Sequence, residues 1–292
     1  MSKRERRGYS GAGTSPSLPL DQLIEAVLTS SKYKSISHDL VSSVGSRELA
    51  KRHSLKEAIK ATKNKLHQVG GAYLDGEARY DRWLDELRLL AGDRLGRSQA
   101  TAWGGLERIR EICMSIMHYH ASTRERVPVL EEFYTTILAG MPPIRSVLDI
   151  ACGLHPLALP WMPLAEDVHY YAFDIYQDMT AFLNEYLRLM HVQGYAQARD
   201  VLQDCPLQKV DVAFLLKALP CLEQVDKSAG PRLLETIAAD ALVVSFPAHS
   251  LGGRHKGMVG NYETRFWQLV EGKNWSISRF EFPTELVFLI RK

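Results

Sequence analysis

The chain has 292 residues, of which 46% are hydrophobic and 24% charged, and this is the composition of a globular protein rather than a fibrous or wholly disordered one. Its formal net charge is only +2, so any binding of nucleic acid must depend on where the charges lie. No apolar run approaches the roughly 20 residues of a membrane span. The four cysteines show no CxxC spacing and no clustering with histidine. We therefore expect no membrane segment, no metal site and a reduced, cytoplasmic setting.

The first part of the chain has the apolar periodicity of helices. Residues 1–17 contain few apolar side chains and are expected to form a disordered tail, and no apolar stretch of a secretory signal follows the basic start. Asp21 is predicted to cap a first helix, and a second helix is predicted to begin near Ser37. Apolar faces continue to about residue 118, so residues 18–118 are predicted to form an all-helical domain.

The third predicted helix carries a one-sided charge. Ser54 and Glu57 at its start have the spacing of a capping box, in which the two side chains bind backbone N–H groups of the first turn. Six cations lie on this helix or just before it, and Glu57 is the only acid among them. Solvated helix faces usually mix both signs, so this surface is predicted to face the phosphates of a nucleic acid. The six cations are Lys51, Arg52, Lys56, Lys60, Lys63 and Lys65.

From Ile144 onward, short apolar runs alternate with helical patterns. Strands that alternate with helices predict a parallel sheet with helices on both faces, and we add an antiparallel hairpin around residues 283–284. One helix is predicted over residues 221–239. The predicted strands are 144–150, 168–173, 195–198, 210–216, 241–246, 276–282 and 285–290. The predicted α/β domain spans residues 119–292.

The turns after the first three strands carry candidate binding residues. Small residues at 151–153, with Gly153 last, let the backbone approach a ligand closely. Asp174 ends the second strand, where a carboxylate can bind both hydroxyls of a ribose. Asp200 follows the third strand and can accept from an adenine amino group, while Val201 can offer its backbone N–H. Either acid alone could be a turn or cap residue, but together they favour a nucleoside cofactor. The G-x-G-x-x-G turn of a dehydrogenase is absent.

The pattern of five parallel strands and a terminal hairpin resembles class I S-adenosylmethionine-dependent methyltransferases, which have a Rossmann-like fold. Four motifs in the same order are similar to one family, the aminoglycoside-resistance 16S ribosomal RNA methyltransferases of the Arm, Rmt and Kgm type, which modify guanine N7 in the decoding site. The resemblance covers about residues 20–292. The motifs are HASTRER at 120–126, DIACGLHP at 149–156, FLLKALPCLE at 214–223, and SFP at 245–247 followed by SLGGRHKGM at 250–258.

The resemblance implies that the cofactor is S-adenosyl-L-methionine. Arg126 would hold the carboxylate of its methionine part, a task suited to a bidentate guanidinium. Tyr73 would reach into the same pocket from the helical domain, and Gly153 would lie against the methionine end. Asp174 would bind the ribose. The full set of implied cofactor residues is Tyr73, His120, Ser122, Thr123, Arg126, Ala151, Gly153, Asp174, Ile175, Asp200, Val201, Leu216 and Lys217.

The resemblance also implies the chemistry and the partner. Guanine N7 has a free lone pair and loses no proton, so no catalytic residue is expected beyond groups that align the reactants, with Lys217 near the target base. The target base must swing out of its stack, and Phe246 or Tyr262 is predicted to stack on it. A glycine-rich loop with Arg254 and Lys256 is expected to face RNA phosphates. The implied partner is 16S ribosomal RNA in the assembled 30S subunit, and the lack of a dimerisation stripe predicts a monomer.

Two local features concern the helix before the first strand. Ser122 and Glu125 have the spacing of a second capping box. Pro128 lies inside the helix expected to follow, and should kink that helix or delay its start because proline lacks a backbone N–H.

Two alternative functions remain open. A methyltransferase that acts on a small molecule needs no basic helix, so charge reversal at Lys60 and Lys63 would leave its activity intact. A non-catalytic protein that kept the methyltransferase fold and docks on the ribosome would bind the cofactor weakly or not at all. Its phenotype would survive Asp174→Ala.

Overall fold

The computed structural model describes residues 18–71, 73–74, 76, 78–94, 99–248 and 257–292. The tail predicted over residues 1–17 lies outside the described residues, as do Arg254 and Lys256. No helix within the described ranges is both long enough and apolar enough to cross a membrane.

The centre of the molecule is a seven-stranded sheet in the order β3-β2-β1-β4-β5-β7-β6. The strands β1 to β5 pair in parallel, and β7 pairs antiparallel with both β5 and β6. This confirms the predicted α/β sheet with a terminal hairpin. The strands are β1 Ile144–Ile150, β2 Leu164–Asp174, β3 Gln193–Ala198, β4 Val210–Leu216, β5 Ala239–Pro247, β6 Ser276–Phe282 and β7 Glu285–Arg291.

The strands alternate between two hydrophobic cores, one on each face of the sheet. On β1, Val147 packs in the first core and Leu148 in the second. The first core also contains side chains of helices that precede β1 and of the helix Gln177–Leu189. The second contains side chains of the helices Leu219–Val225, Ala229–Thr236 and Met258–Val270. Helices on both faces explain why β4 is apolar almost throughout.

Among the residues that the structure describes, seven helices precede the sheet and four lie between or after its parallel strands. The first seven are α1 Pro19–Leu28, α2 His38–Lys51, α3 Leu55–Leu66, α4 Tyr80–Arg94, α5 Gln99–Met117, α6 Ala121–Arg126 and α7 Leu130–Ile137. The others are α8 Gln177–Leu189, α9 Leu219–Val225, α10 Ala229–Thr236 and α11 Met258–Val270. A π-helical turn follows α3 at His67–Gly71, and 3-10 turns lie at Val127–Val129 and His155–Trp161.

Some predicted helix caps are confirmed and others are wrong. Ser54 caps α3, and its hydroxyl oxygen accepts from the Glu57 N–H at 3.3 Å. Asp21 does not cap α1, because the helix already begins at Pro19, whose fixed φ suits a first helical position. Asp21 instead lies in the first turn, where its charge complements the helix dipole. Pro128 delays α7 as predicted, since a 3-10 turn separates α6 from α7.

The chain after β4 differs from the prediction of one long helix. Asp226 ends α9, and its Oδ1 accepts from both the N–H and the hydroxyl of Ser228, which turns the chain before α10 begins. The helix α11 was not predicted. It begins at Met258.

The helical region is attached to the sheet through the loop that follows β2. The Ser37 N–H donates to the Ile175 carbonyl at 2.8 Å, and the Gln177 N–H donates to the Ser35 carbonyl at 2.7 Å. Further along, Arg110 of α5 donates to the Pro160 carbonyl at 2.8 Å. Backbone hydrogen bonds therefore place α2 directly beside the carboxyl end of β2.

The close approach of the β2 and β3 backbones at Gly194 gives a test of this fold. Gly194 has φ +114°, and a Cβ built there would lie 2.1 Å from the Tyr170 carbonyl oxygen of the neighbouring strand. We expect Gly194→Ala to lower the free energy of unfolding by about 2–5 kcal/mol, because both the backbone conformation and the contact are unfavourable. Urea unfolding followed by circular dichroism measures the change.

Gly260→Ala is the matched control, because a Cβ at this α11 position meets no atom within 4 Å. It should leave stability unchanged or raise it by about 0.5–1 kcal/mol. Equal stability of the two variants would contradict the close β2–β3 pairing at Gly194.

Candidate functional site

A cleft opens at the carboxyl ends of β1, β2 and β4. In open α/β sheets this edge is where ligands bind. The helical region contributes part of its wall through Leu40, Val69, Gly70 and Tyr73. Most of the predicted cofactor residues line it, namely Tyr73, His120, Ser122, Ala151, Asp174, Ile175, Asp200, Val201, Leu216 and Lys217. The sequence did not identify Leu40 and Val225 as cleft residues, because the apolar faces of their helices were interpreted as hydrophobic core.

Asp174 joins the turn after β1 to the loop after β2. Its Oδ2 accepts from the Gly153 N–H at 2.8 Å and its Oδ1 from the Ile175 N–H at 2.6 Å. Burial raises the pKa of this carboxyl to about 6, although the backbone N–H groups oppose the rise. The carboxylate is held in a fixed orientation and keeps further lone pairs for a hydroxyl donor.

Gly153 supports the cleft from behind rather than lining it. Its φ is +53°, and a Cβ there would lie 2.7 Å from the His120 ring. Only glycine combines this backbone conformation with so close an approach. Gly153 was predicted to contact a ligand, but in this structure it does not line the cleft and packs against His120, a role that the sequence did not reveal.

Asp200 has a buried acceptor without a donor. Its Oδ1 accepts from the Leu202 N–H at 3.0 Å, whereas its Oδ2 is buried and has no hydrogen-bond partner. Burial raises the pKa of the Asp200 carboxyl. Because buried acceptors are nearly always satisfied, Oδ2 is a site for a ligand donor such as an amino group.

Arg126 binds a carboxylate of the protein, whereas the prediction assigned it to the carboxylate of the cofactor. It is fully buried, and its Nε and Nη2 donate to the two carboxylate oxygens of Glu285 at 2.6 and 2.8 Å. Burial alone would raise the pKa of Glu285, but the Arg126 charge outweighs it and the pKa is lowered. The Nε and Nη2 of the guanidinium are thus both bonded to Glu285. The buried Nη1 has no partner, so any contact with a ligand carboxylate is restricted to that nitrogen.

The start of α6 has no capping box, which corrects the reading of Ser122 and Glu125. The residue before the helix is His120, and the Ala121 N–H donates to the Tyr73 carbonyl at 2.8 Å. Thr123 is buried, and its hydroxyl lies 2.7 Å from the Met117 carbonyl. Thr123 therefore holds the turn behind the cleft and does not line it. The chain enters α6 through tertiary contacts, which take the place of the local cap.

Lys217 is almost fully buried at the end of β4. Its Nζ lies 2.6 Å from a carboxylate oxygen of Glu125, so its charge is balanced within the protein. Its φ is +56°, which is unfavourable for a side chain with a Cβ, and its N–H donates to the Ser245 carbonyl at 2.9 Å. Glu125 was missed as a site residue because its spacing suggested a cap.

His120 is a neutral group in the wall of the cleft. Burial, with the nearby charges of Arg126 and Lys217, lowers its pKa to about 4. Its ring stacks on Tyr73 with the ring centres 6.1 Å apart. The Tyr73 hydroxyl and the Cys221 Sγ share a hydrogen bond of 2.7 Å, which joins the helical region to α9.

A buried polar network lies beneath the turn after β1, and the sequence analysis did not find it. The Asp149 Oδ2 accepts from the Tyr170 hydroxyl at 2.8 Å and from the His155 Nδ1 at 2.7 Å. The other ring nitrogen of His155 lies 2.7 Å from the Tyr134 hydroxyl. The sequence feature that could have revealed this network is Asp149 inside an apolar strand, followed by His155 directly before a proline. The network fixes the turn that carries Gly153.

Comparison with known proteins gives consistent matches. The family model described as ribosomal RNA methyltransferase (FmrO) matches residues 29–289. A 16S rRNA (guanine(1405)-N(7))-methyltransferase of Micromonospora echinospora is 34% identical over 281 residues, 96% of this chain and 99% of that protein. A protein of the same name from Serratia marcescens is 30% identical over 273 residues, 94% and 98% of the two chains. The crystal structure of the 16S rRNA methyltransferase RmtF in complex with S-adenosyl-L-homocysteine has 27% identity and a TM-score of 0.74, over 95% of this chain and 100% of that one.

The chain belongs to the FmrO family of ribosomal RNA methyltransferases. The resemblance carried by the four motifs is therefore confirmed, and so is the class I methyltransferase fold.

The cleft of this FmrO-family chain fits S-adenosyl-L-methionine on two observations. The unpaired Asp200 Oδ2 suits the adenine amino group, and the oriented Asp174 carboxylate suits ribose hydroxyls. Arg126, which was predicted to hold the methionine carboxylate, is fully buried and is not among the residues that line the cleft. Metal-binding clusters of His, Cys, Asp and Glu are absent from the part of the chain that the structure describes.

The predicted basic surface divides into two groups of cations. Arg52 pairs with Glu48 at 3.1 Å, and Lys65 donates to the Gln224 carbonyl at 2.9 Å, so both hold the fold. The other four make no ion pair or hydrogen bond to any described residue. They are Lys51, Lys56, Lys60 and Lys63, and all but the half-exposed Lys63 are exposed.

Phe246 cannot be the base-stacking residue in this structure. It is 1% exposed and packs against Tyr262, with ring centres 5.2 Å apart and an angle of 23°. Phe266 and Phe288 contact it from other sides. The prediction treated an aromatic residue near the end of a strand as accessible, but the strand β5 is central and its side chains are covered. Tyr262 is half-buried, so it remains the candidate for stacking on the target base.

The raised pKa of Asp174 predicts how cofactor binding depends on pH. The protonated carboxyl is favoured in the folded protein below about pH 6, so the stability it contributes is lost as pH rises through that value. Accepting from ribose hydroxyls needs the ionised form. We expect the affinity for S-adenosyl-L-homocysteine to fall by up to about tenfold per pH unit below about pH 6.

Isothermal titration calorimetry across this range measures the effect. Asp174→Asn should bind about 10–100-fold more weakly near neutral pH and lose the decline centred near pH 6. An unchanged affinity of the wild-type protein between about pH 5 and pH 7 would contradict the role of Asp174.

The buried ion pair predicts a large loss of stability when it is broken. Glu285→Gln leaves the Arg126 charge uncompensated in the core, and we expect the free energy of unfolding to fall by about 3–5 kcal/mol. The control is Glu263→Gln, which breaks the more exposed two-bond pair with Arg279. That change should cost about 1 kcal/mol or less. Similar losses in both variants, measured by urea unfolding, would argue against the burial of the Arg126–Glu285 pair.

Proposed function

We propose that this protein transfers the methyl group of S-adenosyl-L-methionine to N7 of a decoding-site guanine of 16S ribosomal RNA, in the assembled 30S subunit, and thereby confers aminoglycoside resistance. The position is the guanine 1405 for which its curated relatives are named. The site of action would be the cytoplasm, where the subunit is found, and the protein would act as a monomer.

One observation supports this proposal more than any other. Two acids that keep free acceptor positions, Asp174 and Asp200, line one cleft in an FmrO-family fold. They suit the hydroxyls of a ribose and the amino group of an adenine. A protein that had kept the fold without binding the cofactor would have no reason to retain the buried Asp200 Oδ2 without a donor.

The residues at the end of β4 suit the alkylation of a base nitrogen without proton transfer. When bound, S-adenosyl-L-methionine supplies an electrophilic methyl group on a sulfonium. Lys217 is paired with Glu125, and His120 is neutral, so neither is poised to remove a proton. These groups instead shape a rigid wall, and catalysis depends on alignment of the guanine against that wall. The positive φ of Lys217 shows that its position is determined by the surroundings rather than by local preference.

The basic face of α3 supports a ribosomal substrate over a small molecule. Lys51, Lys56, Lys60 and Lys63 are free of internal partners within the described chain, so their charges are available for phosphates. The same helix is tied to α9 by Lys65, and α9 borders the cleft. Docking through α3 would therefore place the backbone of folded RNA beside the methyl-transfer site.

The first experiment uses purified small ribosomal subunits, naked 16S RNA and labelled S-adenosyl-L-methionine. We expect label at one decoding-site guanine, cleavable as N7-methylguanine, and only with assembled subunits. Label on naked RNA would show that methylation does not require the assembled subunit. No label on either substrate, with cofactor binding intact, would favour the small-molecule alternative.

Charge reversal tests the docking face. Lys60→Glu with Lys63→Glu should lower kcat/KM for 30S subunits by about 10–100-fold and reduce the slope of log K against log salt by about two. Affinity for S-adenosyl-L-homocysteine should not change. Filter binding and single-turnover methylation at several salt concentrations give both quantities.

The matched control is Arg145→Glu with Lys209→Glu, which makes the same change of charge at the amino ends of β1 and β4, opposite the cleft. Both side chains are exposed and pair only at the surface. An equal loss of activity in this control would show that total charge matters, and that the α3 face does not dock the RNA.

A further inference from the structure

A short segment at the end of α3 joins two sides of the cleft. It comprises residues 65–70 and Tyr73, and we call it the strap. Val69, Gly70 and Tyr73 of the strap line the cleft. The π-helical turn His67–Gly71 lies at its centre, and such turns occur frequently at functional sites.

One side of the strap is packed against the loop that follows β2. A Cβ built on Gly70 would lie 2.6 Å from the Ile175 Cδ1 and 2.8 Å from the Tyr176 hydroxyl oxygen, so the backbone of the strap touches this loop. Backbone hydrogen bonds join the same loop to Ser35 and Ser37. Close packing and these bonds leave this side of the strap little freedom to move.

The other side of the strap is joined to α9 by two side-chain hydrogen bonds. The Lys65 Nζ donates to the Gln224 carbonyl at 2.9 Å, and the Tyr73 hydroxyl shares a hydrogen bond of 2.7 Å with the Cys221 Sγ. The Gln224 carbonyl lies in the last turn of α9, where backbone acceptors lack helical partners. Since α9 also lines the cleft, the strap bridges the cleft from the loop after β2 to α9.

The attachment to α9 is the one that can be released. A thiol is a weak hydrogen-bonding group. The bond from Lys65 is made by the end of a long, flexible side chain, and it lies where water can replace it. The strap can therefore separate from α9 while its other side stays packed against Ile175.

We propose that the strap is a gate on the cofactor cleft, which leaves α9 to admit or release the cofactor and returns to α9 to enclose it. This inference rests on the proposed function, in which the cleft binds S-adenosyl-L-methionine. The strap continues from α3, so the helix with the proposed RNA-docking face would also control the exchange of the cofactor.

A gate has a kinetic signature of its own. The ligand enters and leaves only while the gate is open, so the association and dissociation rate constants both scale with the open fraction, and Kd stays the same. A residue that supports contacts with the ligand changes the dissociation rate and Kd together. Lys65 is not among the residues that line the cleft, so its replacement separates the two cases.

The experiment measures the association and dissociation rate constants of S-adenosyl-L-homocysteine on the full-length protein by surface plasmon resonance. Lys65→Met removes the donor and keeps an aliphatic side chain. It should raise both rate constants by about 3–10-fold, because one hydrogen bond that favours the closed strap is lost. Calorimetry should show a Kd within about twofold of the wild-type value, because the bond closes the strap in the free and the bound protein alike.

The matched control is Lys227→Met. It removes an exposed lysine just beyond the end of α9 that makes no hydrogen bond or ion pair to any described residue, and it should exchange the ligand at wild-type rates. Lys65→Arg keeps a donor and should restore the slow exchange. Thermal melts of the ligand-free proteins show that each variant is folded.

Two results would overturn the inference without affecting the proposed function. One is wild-type rate constants in Lys65→Met. The other is faster dissociation with a proportionally weaker Kd, which would make Lys65 a support of the cofactor site and not part of a gate. If the wild-type protein does not bind S-adenosyl-L-homocysteine, the cofactor proposal fails first, and this inference fails with it.

Discussion

The buried pair of Arg126 and Glu285 is the interaction on which the rest of the structure depends. It joins α6, at the end of the helical region, to the first residue of β7, and the Ser245 hydroxyl of β5 donates to the same carboxylate at 2.8 Å. Two charges in a core are tolerated only when each is nearly fully paired. The pair therefore fixes the register of the hairpin against β5 and the position of α6 against the sheet at the same time.

Two parts of the cleft wall are held by this pair or by the network beneath the turn after β1. The Lys217 N–H donates to the Ser245 carbonyl, and Glu125, next to Arg126 in the chain, pairs with the Lys217 side chain. On the other side, Asp149 and His155 hold the turn whose N–H binds Asp174. The site is consequently rigid, and rigidity is what a reaction that depends on alignment requires.

The helical region serves the cleft and the basic face together. Tyr73 reaches Cys221, Lys65 reaches the Gln224 carbonyl and Arg47 reaches the Val225 carbonyl, and all three acceptors or partners lie on α9. The helix α3, which carries Lys56, Lys60 and Lys63, is thus joined through Lys65 to α9, which lines the cofactor cleft. This arrangement gives a physical route by which contact of RNA with α3 can change the cleft.

The sequence by itself determined the fold class, the positions of the strands along the chain to within a few residues, and the acids that follow β2 and β3 or end them. These follow from local patterns: apolar periodicity, small residues in a turn, and carboxylates directly after strands. Ser54 as a helix cap and the delay caused by Pro128 are also local effects. These features were predictable because their partners lie within a few residues, whereas the local caps predicted at Asp21 and Ser122 were wrong because a proline start and tertiary contacts replaced them.

Only the tertiary structure decided the partners of the charged groups. Arg126 was assigned to a ligand carboxylate, and Glu125 to a cap, whereas their partners Glu285 and Lys217 lie far away in the chain. Phe246 was taken as accessible because a sequence does not show which strand is central. A side chain's partner depends on which strands and helices meet across the sheet, and residue types and spacing do not contain that information.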